Sequence, residues 1–160
     1  MDTLENKNPS NEEGITPLHM AIDNYHIESG HFEVCKFIMG TLENKNPEQE
    51  NGQTPLHLAA RNGHFEICKL IMDDLIDKSP VNEDGWTPLH YAAKRGHLEV
   101  CKMFMEELID RNPENKEGDT PLKLASKEGH KDVCKLIKSF LKKDKNVSSP
   151  PKKRSRKNTP

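Results

Sequence analysis

The sequence predicts an all-α solenoid, a single row of helix-turn-helix units joined by short hairpin fingers. Three observations carry this. A Gly-His pair recurs at Gly30, Gly63, Gly96 and Gly129, always 33 residues apart. Cys35, Cys68, Cys101 and Cys134 keep the same step. Upstream of each pair, Thr-Pro-Leu at Thr16, Thr54, Thr87 and Thr120 opens a short segment of apolar periodicity. A fixed internal period marks one small unit copied along the chain, and such a unit buries its apolar sides only by stacking on its neighbours.

Taken in order, the chain begins inside a unit. Met1 to Pro9 repeats the pattern of Met39 to Pro47, Met72 to Pro80 and Met105 to Pro113, so residues 1–13 read as the C-terminal end of a partial repeat. A solenoid normally closes with a polar cap. The expectation is therefore a fragment of a longer array, with a raw stack edge as the alternative.

Residues 14–51 form repeat one. Thr16 lies 14 residues before its glycine, whereas Thr54, Thr87 and Thr120 lie nine before theirs. The five extra residues fall within Asp23 to Ser29 and are expected to lengthen the first helix. They read either as a tolerated insertion or as a contact site presenting Tyr25 and Ile27.

Residues 52–84 and 85–117 form repeats two and three. In the latter, Thr87 caps a helix opening on Pro88, where the missing N–H costs nothing. Leu89, Ala92 and Ala93 give that helix an apolar face, and Gly96 reverses the chain. A second helix from about Leu98 turns Val100, Cys101, Phe104 and Met105 inward and leaves Glu99, Lys102 and Glu106 wet. Leu75-Ile-Asp77 and Leu108-Ile-Asp110 follow without glycine, so the second helices are expected to run on another half turn. An irregular, shortened finger should then follow.

Residues 118–141 form repeat four. Lys123, Ser126, Lys131 and Lys138 stand where the other copies are apolar or histidine, as an end cap requires. Lys142 to Pro160 loses the hydrophobic period and reads as a disordered basic tail.

A period of 33 with Thr-Pro-Leu-His, then a short and a longer helix, resembles the ankyrin repeat. The resemblance covers residues 1 to about 141 and recurs four times. It implies a concave face built from finger tips, the residue before Thr, and the end of each first helix. Here those positions are Glu50, Asn51, Gln53, Arg61 and Asn62 in repeat two, and Glu83, Asp84, Trp86, Lys94 and Arg95 in repeat three. Repeat one adds Glu12, Glu13 and Ile15. Repeat four adds Lys116, Glu117, Asp119, Lys127 and Glu128. Trp86, the sole tryptophan, is either a partner's anchor or a side chain lying flat over its neighbour's finger. The finger row is acidic, which points to a basic partner segment. By the same resemblance, His19, His57 and His90 are helix-capping and loop-bridging histidines.

Composition fits. The chain is 32% apolar and 31% charged, lean for a globule but ordinary for a thin stack whose core grows unit by unit. No apolar run is long enough to span a membrane, and no signal-peptide core follows Met1. Equivalent cysteines on stacked helices lie about 8–10 Å apart, beyond the ~7 Å that a disulfide tolerates between Cα atoms. A reduced, intracellular protein is expected.

No catalytic constellation emerges. His31, His64, His97 and His130 each precede a cysteine by four residues, half of a zinc site, but the pair recurs with the fold and reads as scaffold. There is no nucleophile elbow or phosphate-cradling loop. The expectation is a non-enzyme without cofactor or metal that binds another protein on its concave face. The alternatives are an array positioning a catalytic or ligase-type neighbour, and a nucleic-acid-associated regulator acting through the tail.

The net charge of −2 hides a split, +7 on residues 142–160 against −9 on residues 1–141. Lys152, Lys153, Arg154, Arg156 and Lys157 resemble a nuclear-import signal, so an import receptor and a nuclear or nucleo-cytoplasmic location are expected. Nucleic-acid contact, folding back on the acidic body and simple solubility remain open readings of the same run, with direct nucleic-acid binding the less expected. Ser149 and Thr159, each before proline, are phosphorylation candidates whose phosphate would weaken the basic charge.

Overall fold

The computed structural model describes residues 9–23 and 30–147. Residues 1–8, the insert with Tyr25 and Ile27, and the tail with Ser149, Lys152, Lys153, Arg154, Arg156, Lys157 and Thr159 lie outside the described residues. Within them run α1 (Pro17–Asp23), α2 (Gly30–Thr41), α3 (Pro55–Asn62), α4 (Phe65–Asp74), α5 (Pro88–Arg95), α6 (Leu98–Glu107), α7 (Pro121–Lys127) and α8 (Lys131–Val147). No strand occurs among the described residues.

Each first helix opens on proline with threonine as its N-cap. The Thr87 hydroxyl accepts from the His90 amide, and Thr120 accepts from Lys123. Gly63 and Gly96 close α3 and α5 in the left-handed conformation, φ 76° and 77°. Both also need to lack a side chain. A Cβ on Gly63 would stand 2.5 Å from the His97 ring, and one on Gly96 equally close to the His130 ring.

The odd-numbered helices pack on one another more extensively than the even-numbered ones do. Ala59, Ala60, Ala92 and Ala93 are fully buried and let those backbones approach. Closer packing along one row curves the stack and leaves that side concave. Ile67, Ile71, Phe104 and Ile137 from the second helices complete a continuous core with Leu18, Leu56 and Leu89.

Three expectations are corrected. The second helices do not run on: α4 and α6 stop at Asp74 and Glu107, and Leu75 and Leu108 are already extended. Extension turns the Leu108 side chain back into the core, where it is 7% exposed. The Asp77 and Asp110 carboxylates then close the loop by accepting from the Ser79 and Asn112 amides at 2.9 and 3.1 Å. Asn46 and Asn112 accept in turn from Leu56 and Leu122, tying each loop to the start of the next first helix.

The fingers are regular rather than irregular. Asn82 Oδ1 accepts from the Asp84 and Trp86 amides, and Asn115 Oδ1 accepts from Glu117 and Asp119. Glycine completes the turn at Gly85 and Gly118, where the amide donates to the asparagine carbonyl. Successive tips then hydrogen-bond in series: Glu50 N donates to Glu13 O, Glu83 N to Asn51 O, and Lys116 N to Asp84 O.

The third correction is the end of the stack. Helix α8 continues to Val147, past the expected boundary at residue 142. No glycine or proline interrupts the run, Phe140 and Leu141 pack against the core, and Arg111 holds Asp144 at 2.8 Å.

Candidate functional site

Two sets of histidines fix the repeats to each other. The amides of Thr54 and Thr87 donate to Nδ1 of His57 and His90 at 3.2 and 3.0 Å. The opposite nitrogens then reach the next repeat, His57 Nε2 donating to Trp86 O at 2.9 Å and His90 Nε2 to Asp119 O at 3.1 Å. Accepting at Nδ1 requires that nitrogen to be bare, so the bridge works only with neutral imidazole. Burial agrees, pushing His57 down to about 4 and also lowering His19 and His90. The Gly-His residues bridge the other way: His97 Nε2 donates to Arg61 O and His130 Nε2 to Lys94 O, both at 3.0 Å.

The thiols are scaffold too. Cys35, Cys68 and Cys101 are free and fully buried, and burial raises all three, Cys101 to about 12. A thiol held protonated is a poor nucleophile and metal ligand. Among the described residues no three His, Cys, Asp or Glu side chains gather closely enough to hold a metal ion.

The concave face is organised around Tyr91, a residue that reading of the sequence did not single out. Its ring lies 4.8 Å from Trp86 and meets His57 edge-on at 5.9 Å. Its hydroxyl accepts from Gln53 Nε2 at 3.1 Å and Asn82 Nδ2 at 3.2 Å. Tyr91 occupies the register of Met20, Leu58 and Leu124, so the signal was an aromatic where the other copies carry methionine or leucine. Trp86 therefore lies against the tyrosine of its own repeat, half-buried, with Lys94 Nζ 5.1 Å above the ring.

The other expected positions divide. Gln53, Trp86 and Lys94 converge on Tyr91, while Glu50, Asn51, Glu83, Asp84, Lys116 and Glu117 stand exposed on the finger tips. Arg61 turns away and pairs with Asp23 at 2.7 Å. Beside that pair, Leu58, Met20, Gln49 and Gln53 line an open depression of about 290 Å³. At the far end Lys127 donates to both Asp119 oxygens at 2.8 and 2.7 Å, which holds that carboxyl below its usual range. Asn62 is half-buried, and Arg95 is exposed at the end of α5. With Arg61 and Lys127 paired internally, the row of tips keeps six carboxylates against Lys116.

On the opposite side α4 and α6 enclose a groove of about 280 Å³ lined by Phe65, Met72 and Met103 with lysines and carboxylates at its edges. Among the described residues no helix is long and apolar enough to cross a membrane.

The family model for ankyrin repeats matches the chain in three overlapping copies, over residues 2–79, 25–110 and 71–149. No curated protein matches it. Repeats of this family are generally protein–protein interaction modules and are typically non-catalytic. With the 33-residue step, the stacked hairpins and a match over nearly its whole length, the chain belongs to the ankyrin-repeat family.

Proposed function

We propose that the chain is a non-catalytic scaffold or adaptor that binds a basic, extended segment of another protein across its concave face. One observation carries this: the acidic finger tips are pinned in series by backbone hydrogen bonds, beside the half-exposed Trp86–Tyr91 pair. Fixed carboxylates at repeat spacing suit lysine and arginine side chains, and the aromatic pair supplies a rigid apolar anchor at small entropic cost. Lys94 screens the tryptophan and can swing off its flexible stem when a partner arrives.

The test is affinity for a partner captured with the full chain. Trp86→Ala should weaken binding about 30-fold, the equivalent of ~2 kcal/mol at an aromatic anchor. The fold should survive, because the Trp86 backbone, not its side chain, accepts the His57 bond. Glu83→Lys should weaken binding at low salt and lose its effect at high salt. Unchanged affinity in both variants removes this face from consideration.

The basic run Lys152, Lys153, Arg154, Arg156 and Lys157 supports a second reading, nuclear import through a receptor with an acidic groove. A reporter carrying residues 148–160 should concentrate in the nucleus, less so when Ser149 or Thr159 is made phosphomimetic. An even distribution sinks the import reading.

A further inference from the structure

The outer face of α8 is unlike every other helix face in the stack. Lys131, Lys135, Lys138 and Lys142 recur at i, i+4, i+7 and i+11, which sets them along one side of about 16 Å of helix. All four are exposed. They occupy the registers of Phe65 and Leu98, Lys69 and Lys102, Met72 and Met105, and Ile76 and Ile109. Lys131, Lys135 and Lys138 also line an open depression with Ser126, Gly129 and Cys134.

Elsewhere in the described stack four long cations are paired: Lys45 with Asp74, Lys78 with Glu107, Arg111 with Asp144, and Arg61 with Asp23. On this face Lys135 approaches Asp132 at 3.6 Å, with both side chains about four-fifths exposed. A wettable cap requires polar residues; it does not require one sign. Like charges at i, i+4 repel, so an all-lysine cap is less stable than a mixed one. Residues 131–160 carry eleven basic and two acidic groups, a balance of +9, which leaves −11 on residues 1–130. The positive charge is gathered at one end of an acidic rod.

We propose that the α8 face is a sequence-independent docking site for the phosphate backbone of double-stranded nucleic acid. Ordered lysines neutralise successive phosphates and release the counterions condensed on them. The chemistry disfavours the other polyanions. A protein interface needs a large apolar or aromatic centre, and the depression among the lysines offers only Ser126, Gly129 and Cys134. A membrane-surface helix inserts its apolar side into lipid, whereas Val133, Ile137, Phe140 and Leu141 are engaged in the core. Without an exposed aromatic on this face there is no stacking platform for unpaired bases.

Fluorescence anisotropy of the full chain with two 20-base-pair duplexes of unrelated sequence tests this. Equal affinity for both is expected, weakening on the order of 100-fold between 50 and 200 mM salt if about four phosphates are contacted. The variant K131Q/K135Q/K138Q/K142Q should bind at least tenfold more weakly at 50 mM salt with unchanged circular dichroism. The salt slope should fall in magnitude by about 3. K36Q/K69Q/K102Q, which removes exposed lysines from α2, α4 and α6, should bind as wild type. Bound duplex should also shield Lys131, Lys135, Lys138 and Lys142 from acetylation in the unaltered protein, a readout independent of any variant. Wild-type affinity in the α8 variant, absence of shielding, or tighter binding to polyglutamate or phosphatidylserine vesicles than to duplex overturns the proposal.

Discussion

Repeat three and repeat four share a register, and their differences show what a neighbour demands of a repeat. In repeat three, three special residues answer to the next copy. Gly96 leaves room for the His130 ring, a Cβ on Gly85 would stand 3.1 Å from the Lys116 nitrogen, and His90 reaches the Asp119 carbonyl. In repeat four the same positions face open space. A Cβ on Gly118 or Gly129 would meet nothing within 4 Å, and Lys123 replaces the histidine. Its ammonium reaches the Gly118 carbonyl of its own turn instead, at 2.7 Å. Glycine and histidine in this fold therefore serve two functions, local geometry and the seam. Only the first survives at the end.

The widest gap between interior and end should appear on acidification. His57 is neutral when folded, with its pKa pushed down to about 4 from 6.5. Its contribution is complete above pH 6.5, where both states are neutral. As pH falls from 6.5 towards 4, the unfolded chain takes up a proton that the folded chain refuses, and stability is lost. The loss is about 3 kcal/mol for this residue alone, from ~1.4 kcal/mol per unit. His19, His64 and His90, also lowered by burial, add to it in the same direction. Urea unfolding at stepped pH should show this fall, and hydrogen exchange should place the loosening at the seams between successive repeats, where His57 and His90 reach the next copy. A stability constant from pH 7 to pH 4 would break the comparison.

A smaller effect sharpens it. Gly96→Ala should cost about 2–3 kcal/mol, combining ~1–2 for a left-handed alanine with ~1 for the His130 bond that the methyl displaces. Gly129→Ala, at φ 80° with open space around it, should cost only the backbone share, about 1–2 kcal/mol. Equal losses in urea midpoint would show that the close approach of the His130 ring carries no weight.

Much of this fold was legible because each feature occurs four times. Thr, Pro, Leu, Gly and Cys at fixed offsets place the first helices, the reversals and the buried thiols without any need of tertiary information. What escaped depends on where side chains go after the helix ends. The absence of glycine after Asp74 suggested a longer helix, but Leu75 gains more by extending and Asp77 supplies the turn. The signal was present in Leu-x-Asx at Leu42, Leu75 and Leu108, and in Asn-x-x-Gly at Asn11, Asn82 and Asn115. The concave residues were foreseen as a group, but their grouping was not. Sequence offsets cannot show that Arg61 turns to Asp23 across 38 positions, or that Tyr91 gathers Gln53 and Trp86. Nor does composition show that Lys142 lies on a helix. That required Arg111 to reach Asp144.

The histidine bridges have a consequence for growth. His97 lends a proton backward to Arg61 and His90 lends one forward to Asp119, so each internal unit presents the same two halves of a fastening on its opposite sides. Residues 52–84 could be written twice in the gene, and the added copy would meet a familiar partner at both of its joints. Lengthening this rod asks nothing new of its chemistry, whereas shortening it by any stretch other than 33 residues strands donors and acceptors on both sides of the cut.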